Sequence, residues 1–553
     1  MKLQFPTIGL LLGTLAIALM NATPAGGVEA RHDIRVFGAR GDGVSLCTSA
    51  IQKAVDACAA DGGGTVYCGP GAWLTGTITL KSHVSLYLDN GCTLFGSTNL
   101  ADYPPWHPRL RSYTDNYVEQ SLIAGENLEQ VGIFGRGTID GNGQAFQVKG
   151  EAARFGRPYV IRLVNCTNVM VEGIALRNSP MWMQHYLGCR QLVLRGLRVF
   201  NHATKNNDGI TVDSCCDVVV ADCLLDTDDD ALCFKSTTDR PCENVTAYNC
   251  TITTHCEAIK LGTESPGGFK NISINNCVIF APPANSHYLD GFPRGISGIA
   301  LETVDGGQSE NINLSNITMR DVPVPIFIRL GNRARPVSEG DPKPGIGVLR
   351  RLTISNVTAT GASRYGCSIT GLPGNCVEDV LLSNIQLSFV GGNQPPATSA
   401  DPFFSAIDGK DHYPDSNVPD LPTNYPAGIM FNVLPAYGFY CHHVRSLKLD
   451  SVSLTTEAPD QRSAVICDDV STLALAGVEA QSGEKAAPVI LLRNVSEAIV
   501  RGCQLGNGKI VPVRLEGRAT RSIVSGANSF SRQQIERGKD VPAAAISQPA
   551  GGQ

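Results

Sequence analysis

The chain has 553 residues, of which 17% are charged, and a formal net charge of -6. So mild and so acidic a balance excludes a strongly basic nucleic-acid binder. By length alone about two to four ordinary domains would be expected, unless the fold is an elongated repeat in which each unit packs only on its neighbours.

Residues 1–30 read as a secretory signal. Lys2 supplies the positive start, 8–20 form an apolar run, and small residues offer cleavage after Ala25 or Ala30. The run is too short to span a bilayer, and no later stretch is apolar enough to do so. A secreted protein, periplasmic or extracellular and without a membrane partner, is expected. Residues 48–58 then place Ile51, Ala54, Val55 and Cys58 at helical spacing, predicting a helix that covers the open end of a solenoid.

From 168 onward the chain repeats. A polar residue is followed by alternating apolar positions, then Asn or Gly, then more apolar positions. Copies start at Asn168, Gln191, Asp217, Asn244, Asn271, Asn311, Arg351 and Asp379, with late copies near Ser446, Thr472 and Ala498. Most are roughly 23 to 28 residues apart, within the range of solenoid repeats. Alternation at period two predicts strands, so the fold class is all-β: a parallel β-helix, one catalytic domain over 31–530. Extra chain at 280–294, 322–347 and 391–440 predicts long loops, which on solenoids tend to build binding sites. The tail 531–553, polar and rich in Ala, Gly and Pro, reads as disordered.

All 19 cysteines lie beyond the signal segment. An odd count leaves at least one without an internal partner. Cys166, Cys189, Cys215, Cys223, Cys250 and Cys277 recur at similar places in the repeats, which reads as a ladder of small buried residues. There is no Cys-x-x-Cys pair, so no zinc site is expected.

Asp208 lies in an Asn-Asn-Asp-Gly run at 206–209, and Asp228, Asp229 and Asp230 follow about one coil later. Carboxylates one coil apart should stand about 4.8 Å apart in height. His185 precedes Asp208 by about a coil, Glu257 follows Asp230 by about a coil, and Glu302 comes on the next. Paired aspartates are common in surface turns, but recurrence at coil spacing stacks acids that repel, which no fold gains from. Glycoside hydrolysis needs such a group: one carboxylic acid for the leaving oxygen and one carboxylate for water or the sugar. Calcium binding is the second role that fits an acidic face. Asp229 and Asp230 can converge only at a turn or bulge, since strand neighbours point apart.

These residues resemble glycoside hydrolase family 28, the polygalacturonase and rhamnogalacturonase family, over most of the mature chain. Phe-Gly-Ala at 37–39, Gly-Asp-Gly at 41–43, Asn-Ser-Pro-Met-Trp at 178–182 with His185, the run at 206–209, and Asp-Asp-Ala-Leu at 229–232 carry the resemblance. It implies a right-handed parallel β-helix and single-displacement hydrolysis with inversion. Asp229 would be the general acid; Asp208 and Asp230 would hold and deprotonate the water, with no metal or organic cofactor implied. Two departures stand out. The family's Gly-His-Gly aligns with Cys256, Glu257 and Ala258, leaving His255 out of register. Its Arg-Ile-Lys, which grips the substrate carboxylate, aligns with Ala300, Leu301 and Glu302. An acid there repels galacturonate, so a neutral sugar or altered pectic side chain is expected.

Candidate substrate contacts are His185, Asn206, Lys235, Glu257, Lys260, Glu302, Arg329 and Arg333. Lys235 and Lys260, just after the acidic positions, could instead balance buried charge. His185 fits a site residue or a satisfied core histidine equally, and Arg335 reads as solvated surface. Trp182, Tyr437 and Tyr440 could stack on a sugar or pack the core. The expected protein is a monomeric, exo-acting glycosidase on pectic polysaccharide or oligosaccharide; a lyase on the same scaffold and a non-catalytic carbohydrate-binding β-helix are the alternatives.

Overall fold

The computed structural model describes residues 31–146, 156–289, 291–338, 340–392, 413, 417–483, 487–506 and 510–547. The signal segment and residues 393–412 of the longest insertion lie outside these.

Strands alternate buried and outward side chains, as in Val84–Leu88, because one face meets the solenoid interior and the other solvent or loops. Every named strand pairing is parallel, and each strand's partner lies one coil away. Three sheets result. One runs through Tyr159–Val164, Gln184–Leu187, Ile210–Asp213, Leu232–Lys235, Glu257–Leu261, Ser297–Thr303 and Val324–Leu330; it carries the acids. A second contains Thr167–Glu172, Arg190–Arg195 and Cys216–Ala221, and a third Ala175–Arg177, Arg198–Asn201 and Leu224–Thr227. From Phe269–Phe280 to Glu378–Gly391 the second and third run together as one long strand per coil. A continuous core of Val, Ile, Leu and Cys side chains fills the interior.

The polar residue that opens each repeat is a corner. Asn168, Gln191, Asp217, Asn244, Asn271, Asn311, Arg351 and Asp379 all have φ between 52° and 60°, the left-handed region that, after glycine, Asn and Asp tolerate best. Their side chains bond up the stack: Asn271 Nδ2 donates to Asn244 at 3.1 Å, and Asn311 Nδ2 to Asn271 at 3.0 Å. Asn249, within an N-glycosylation-like triplet, belongs to a neighbouring corner and donates to Asp222 at 3.0 Å. The cysteines are free thiols, all buried except Cys216 and Cys376, which are half-buried.

The predicted helix spans Thr48–Ala60 and buries the four expected residues against the first coils. One expectation is corrected. The tail is not unstructured as far as it is described: Ile535–Arg537 pairs with Val513–Glu516, and Ile546–Ser547 with Ile523–Gly526. Ile535, Val541 and Ala545 close the core there, so polar composition concealed a terminal coil.

Candidate active site

Pairing of Ile210–Asp213 with Leu232–Lys235 sets Ile210 opposite Leu232. Extending that register by two residues sets Asp208 opposite Asp230. The backbone confirms the rung, since Gly209 N–H donates to the Asp230 carbonyl at 2.9 Å. The one-coil step from Asp208 thus leads to Asp230 rather than to Asp229. Glu257 follows on the next rung: Leu232 pairs with Ile259, and Ala231 N–H donates to the Glu257 carbonyl.

Asp229 joins this group because the chain turns after Leu224–Thr227. Thr227 and Thr254 hydroxyls both donate to the Asp229 carbonyl at 2.6 Å, and Asp230 N–H donates to Asp229 Oδ1 at 2.8 Å. Carboxylate oxygens of Asp229 and Asp230 lie within 4.8 Å of each other, as do those of Asp208 and Asp230. Asp208 and Asp230 are buried, whereas Asp229 is half-buried. Asn207 braces the turn before Asp208, donating to the Ser179 and Met181 carbonyls at 2.8 and 3.1 Å.

Charge in the cluster is balanced from within. Lys260 Nζ sits 3.1 Å from Asp230 Oδ2 and 3.0 Å from Glu257 Oε2. Burial works against its charge, but the two carboxylates outweigh burial and raise its pKa well above the ordinary lysine value. Burial, then the neighbouring Asp229 charge, pushes the Asp208 carboxyl well up; Lys235 opposes this. Glu302 is 1% exposed, and neither of its oxygens is hydrogen-bonded. Burial and the Glu257 charge push it well above the ordinary range. It does not stand over Glu257, which pairs with Ser297, but occupies the space left by Gly262, where a Cβ would come within 2.8 Å of the Glu302 Cβ.

The other candidates are distributed differently. His185 pairs with Thr211 rather than standing over Asp208, is fully buried, and bonds Asp213 at 3.0 Å through Nε2. Asn206 has φ 57°, and its Oδ1 accepts from Arg157 at 3.0 Å. Lys235 meets Glu264 at 3.2 Å and lies 5.0 Å over the Trp182 ring. Arg333 binds Asp305, with Glu264 at 3.5 Å. Arg329 is 1% exposed and donates to the carbonyls of Gly371, Asp420 and Leu421 and to Thr370. Tyr437 and Tyr440 are buried in packing, which rules out their stacking on a sugar. Arg335 is no solvated side chain: it meets Glu264 at 2.8 Å and stacks 3.9 Å over Tyr113. Glu264, the hub for Lys235, Arg333 and Arg335, was missed, because a lone Glu after a strand carries no signal.

Loops close the acids in along the helix axis. On the N-terminal side, Asp115 reaches over to Arg162 at 2.6 Å, in an ion pair almost wholly buried. On the C-terminal side, Tyr425 meets Thr263 Oγ1 at 3.0 Å and covers Lys260, while Phe431 packs on Arg329.

A parallel β-helix with clustered aspartates, one half-exposed and two buried, defines a carboxylate-based glycosidase. A family model described as glycosyl hydrolases family 28 matches residues 58–401, and the chain belongs to that family. It is similar to a probable polygalacturonase of Vitis vinifera, 27% identical over 64% of this chain and 73% of that protein. It is also similar to an exo-poly-alpha-D-galacturonosidase of Dickeya chrysanthemi, 26% identical over 45% of this chain and 50% of that one. In structure it resembles an exopolygalacturonase of Thermotoga maritima, with TM-score 0.56 and 24% identity over 65% of this chain and 87% of that chain. Family membership decides for hydrolysis over the lyase and non-catalytic alternatives.

Proposed function

We propose that this glycosidase removes units from the end of pectic oligosaccharides, with Asp229 as general acid and Asp208 and Asp230 positioning and deprotonating the attacking water. The observation that carries this reading is the cluster's enclosure, with Asp229 its most exposed acid and loops closing the sheet before and after it. A chain end enters such a pocket, whereas the middle of a polymer needs an open groove. The names of the relatives from Dickeya and Thermotoga agree with exo action.

The unit bound against Lys260 is neutral in this reading. Lys235, Lys260 and Arg333 are each paired with carboxylates, and Arg329 is saturated by carbonyls. Glu257 takes up the Lys260 charge, and Glu302 offers a carboxyl in place of a cation, which disfavours an incoming uronate. They act here from beneath the Tyr425 loop rather than as direct substrate contacts.

The test is a time course on defined oligosaccharides, differing only in whether the terminal unit is galacturonate or a neutral sugar. Single-unit release from the outset, faster for the neutral terminus and about 10²- to 10⁴-fold slower in Asp229→Asn, is expected. Random internal cleavage would sink exo action. Equal rates on the all-galacturonate ladder would sink the neutral terminus.

A further inference from the structure

Beside the catalytic turn stands a column of side chains that the proposed hydrolysis does not use. His202, Asp228 and His255 directly follow Arg198–Asn201, Leu224–Thr227 and Thr251–Thr254. Asn201 pairs with Thr227, and Thr227 with Thr254. The three residues therefore occupy one angular position on three successive coils. Asp228 N–H donates to the Asn201 carbonyl at 2.9 Å, and His255 N–H to the Thr227 carbonyl at 3.2 Å, so the ladder continues into them. One ligand atom from each lies within 4.8 Å of the other two, and His202 Nδ1 is 3.9 Å from Asp228 Oδ1.

His255 distinguishes this column from an ordinary charge cluster. Its Nδ1 is 2.9 Å from the Phe292 carbonyl. A carbonyl only accepts, so Nδ1 carries the proton and Nε2 keeps its lone pair. The side chain is fully buried, and Nε2 has no hydrogen-bond partner. A buried polar atom left unpaired is costly. A carbonyl fixing one imidazole nitrogen while the other stays free is the arrangement that orients metal-bound histidines. His202 has a comparable support: its Nε2 bonds Asp226 at 2.8 Å, leaving Nδ1 on the Asp228 side.

We propose that His202 Nδ1, an Asp228 carboxylate oxygen and His255 Nε2 bind one transition-metal dication of the zinc class. Two imidazoles and one carboxylate suit zinc, with a further position for water; calcium takes oxygen ligands. The ion ties down the loop that begins after Phe269–Phe280. That loop already delivers Leu289 N–H to Asp228 at 2.9 Å and the Phe292 carbonyl to His255, and Tyr288 stacks on His255 with ring centroids 5.2 Å apart. The ion thus has a structural place next to Asp229 and takes no part in proton transfer.

The experiment uses untagged, metal-stripped full-length protein, with calorimetric titration of zinc, calcium and cobalt, the visible spectrum of the cobalt form, and thermal unfolding with and without zinc. The wild type should bind one equivalent of zinc or cobalt in preference to calcium, and zinc should raise its unfolding midpoint. His255→Gln and His202→Gln should each weaken zinc binding by at least about tenfold and abolish the midpoint rise. His107→Gln, at an exposed histidine, should change neither. If His255→Gln does not fold, His202→Gln, at a side chain 16% exposed, decides alone. No stoichiometric zinc binding by the wild type, or binding undiminished in the folded variants, would overturn the proposal.

Discussion

Two columns of this solenoid arise from the same one-coil stacking and meet opposite fates. At the corner through Asn244, Asn271 and Asn311, each amide donates to the one below. The residues are neutral, carry donors and acceptors, and remain exposed. At the column through Asp208, Asp230 and Glu257, the stacked groups are acceptor-only when ionised, and they are buried. The first column therefore satisfies itself. The second depends on a cation held between its members, Lys260. Regular stacking thus stabilises where a side chain can pair with its own kind, and accumulates free energy where it cannot.

The largest effect should come from Asp229, the proposed general acid. Asp229→Asn keeps the shape of the turn and removes the proton donor, so hydrolysis should fall by about 10²- to 10⁴-fold with the thermal midpoint nearly unchanged. Survival of full activity would move catalysis elsewhere in the acidic column.

Next is the cation. Lys260→Met leaves Asp230 and Glu257 facing each other without compensation, and should cost about 3–5 kcal/mol in chemical denaturation. A cost below about 1 kcal/mol would mean that the acids do not depend on Lys260.

Glu302→Gln tests, through pH, an acid beside the column whose neutral form the fold favours. The folded pKa is raised, so the neutral form suits the fold and ionisation opposes it. The contribution is fully present at acid pH, below the ordinary carboxyl value, and is lost as pH rises through the raised one. Wild type and variant should therefore match in acid, with the variant ahead by about 1–3 kcal/mol at alkaline pH. A difference independent of pH would refute this assignment.

At the self-satisfied corner the effect should be smallest. Asn311→Ala keeps an exposed residue at φ 60° without the amide bond, and should cost about 1 kcal/mol. A cost like that of Lys260→Met would erase the contrast between the columns.

Much of this contrast was legible in the chain itself. Period-two alternation and a coil-length repeat dictate a parallel solenoid, because stacked strands are the way such repeats bury their apolar faces. The acids at 208, 229 and 230 recur at that spacing and signal chemistry, since repulsion has no structural use. What spacing leaves open is register. Corners absorb a variable number of residues, and a one-residue slip turns a strand's side chains to the other face. Only the tertiary structure therefore set Asp208 against Asp230 rather than Asp229, and took His185 out of the acid column to Asp213. The partners of Lys235 and Lys260, the enclosure by the Asp115 and Tyr425 loops, and the convergence of His202, Asp228 and His255 rest on contacts between distant segments, which local sequence does not encode.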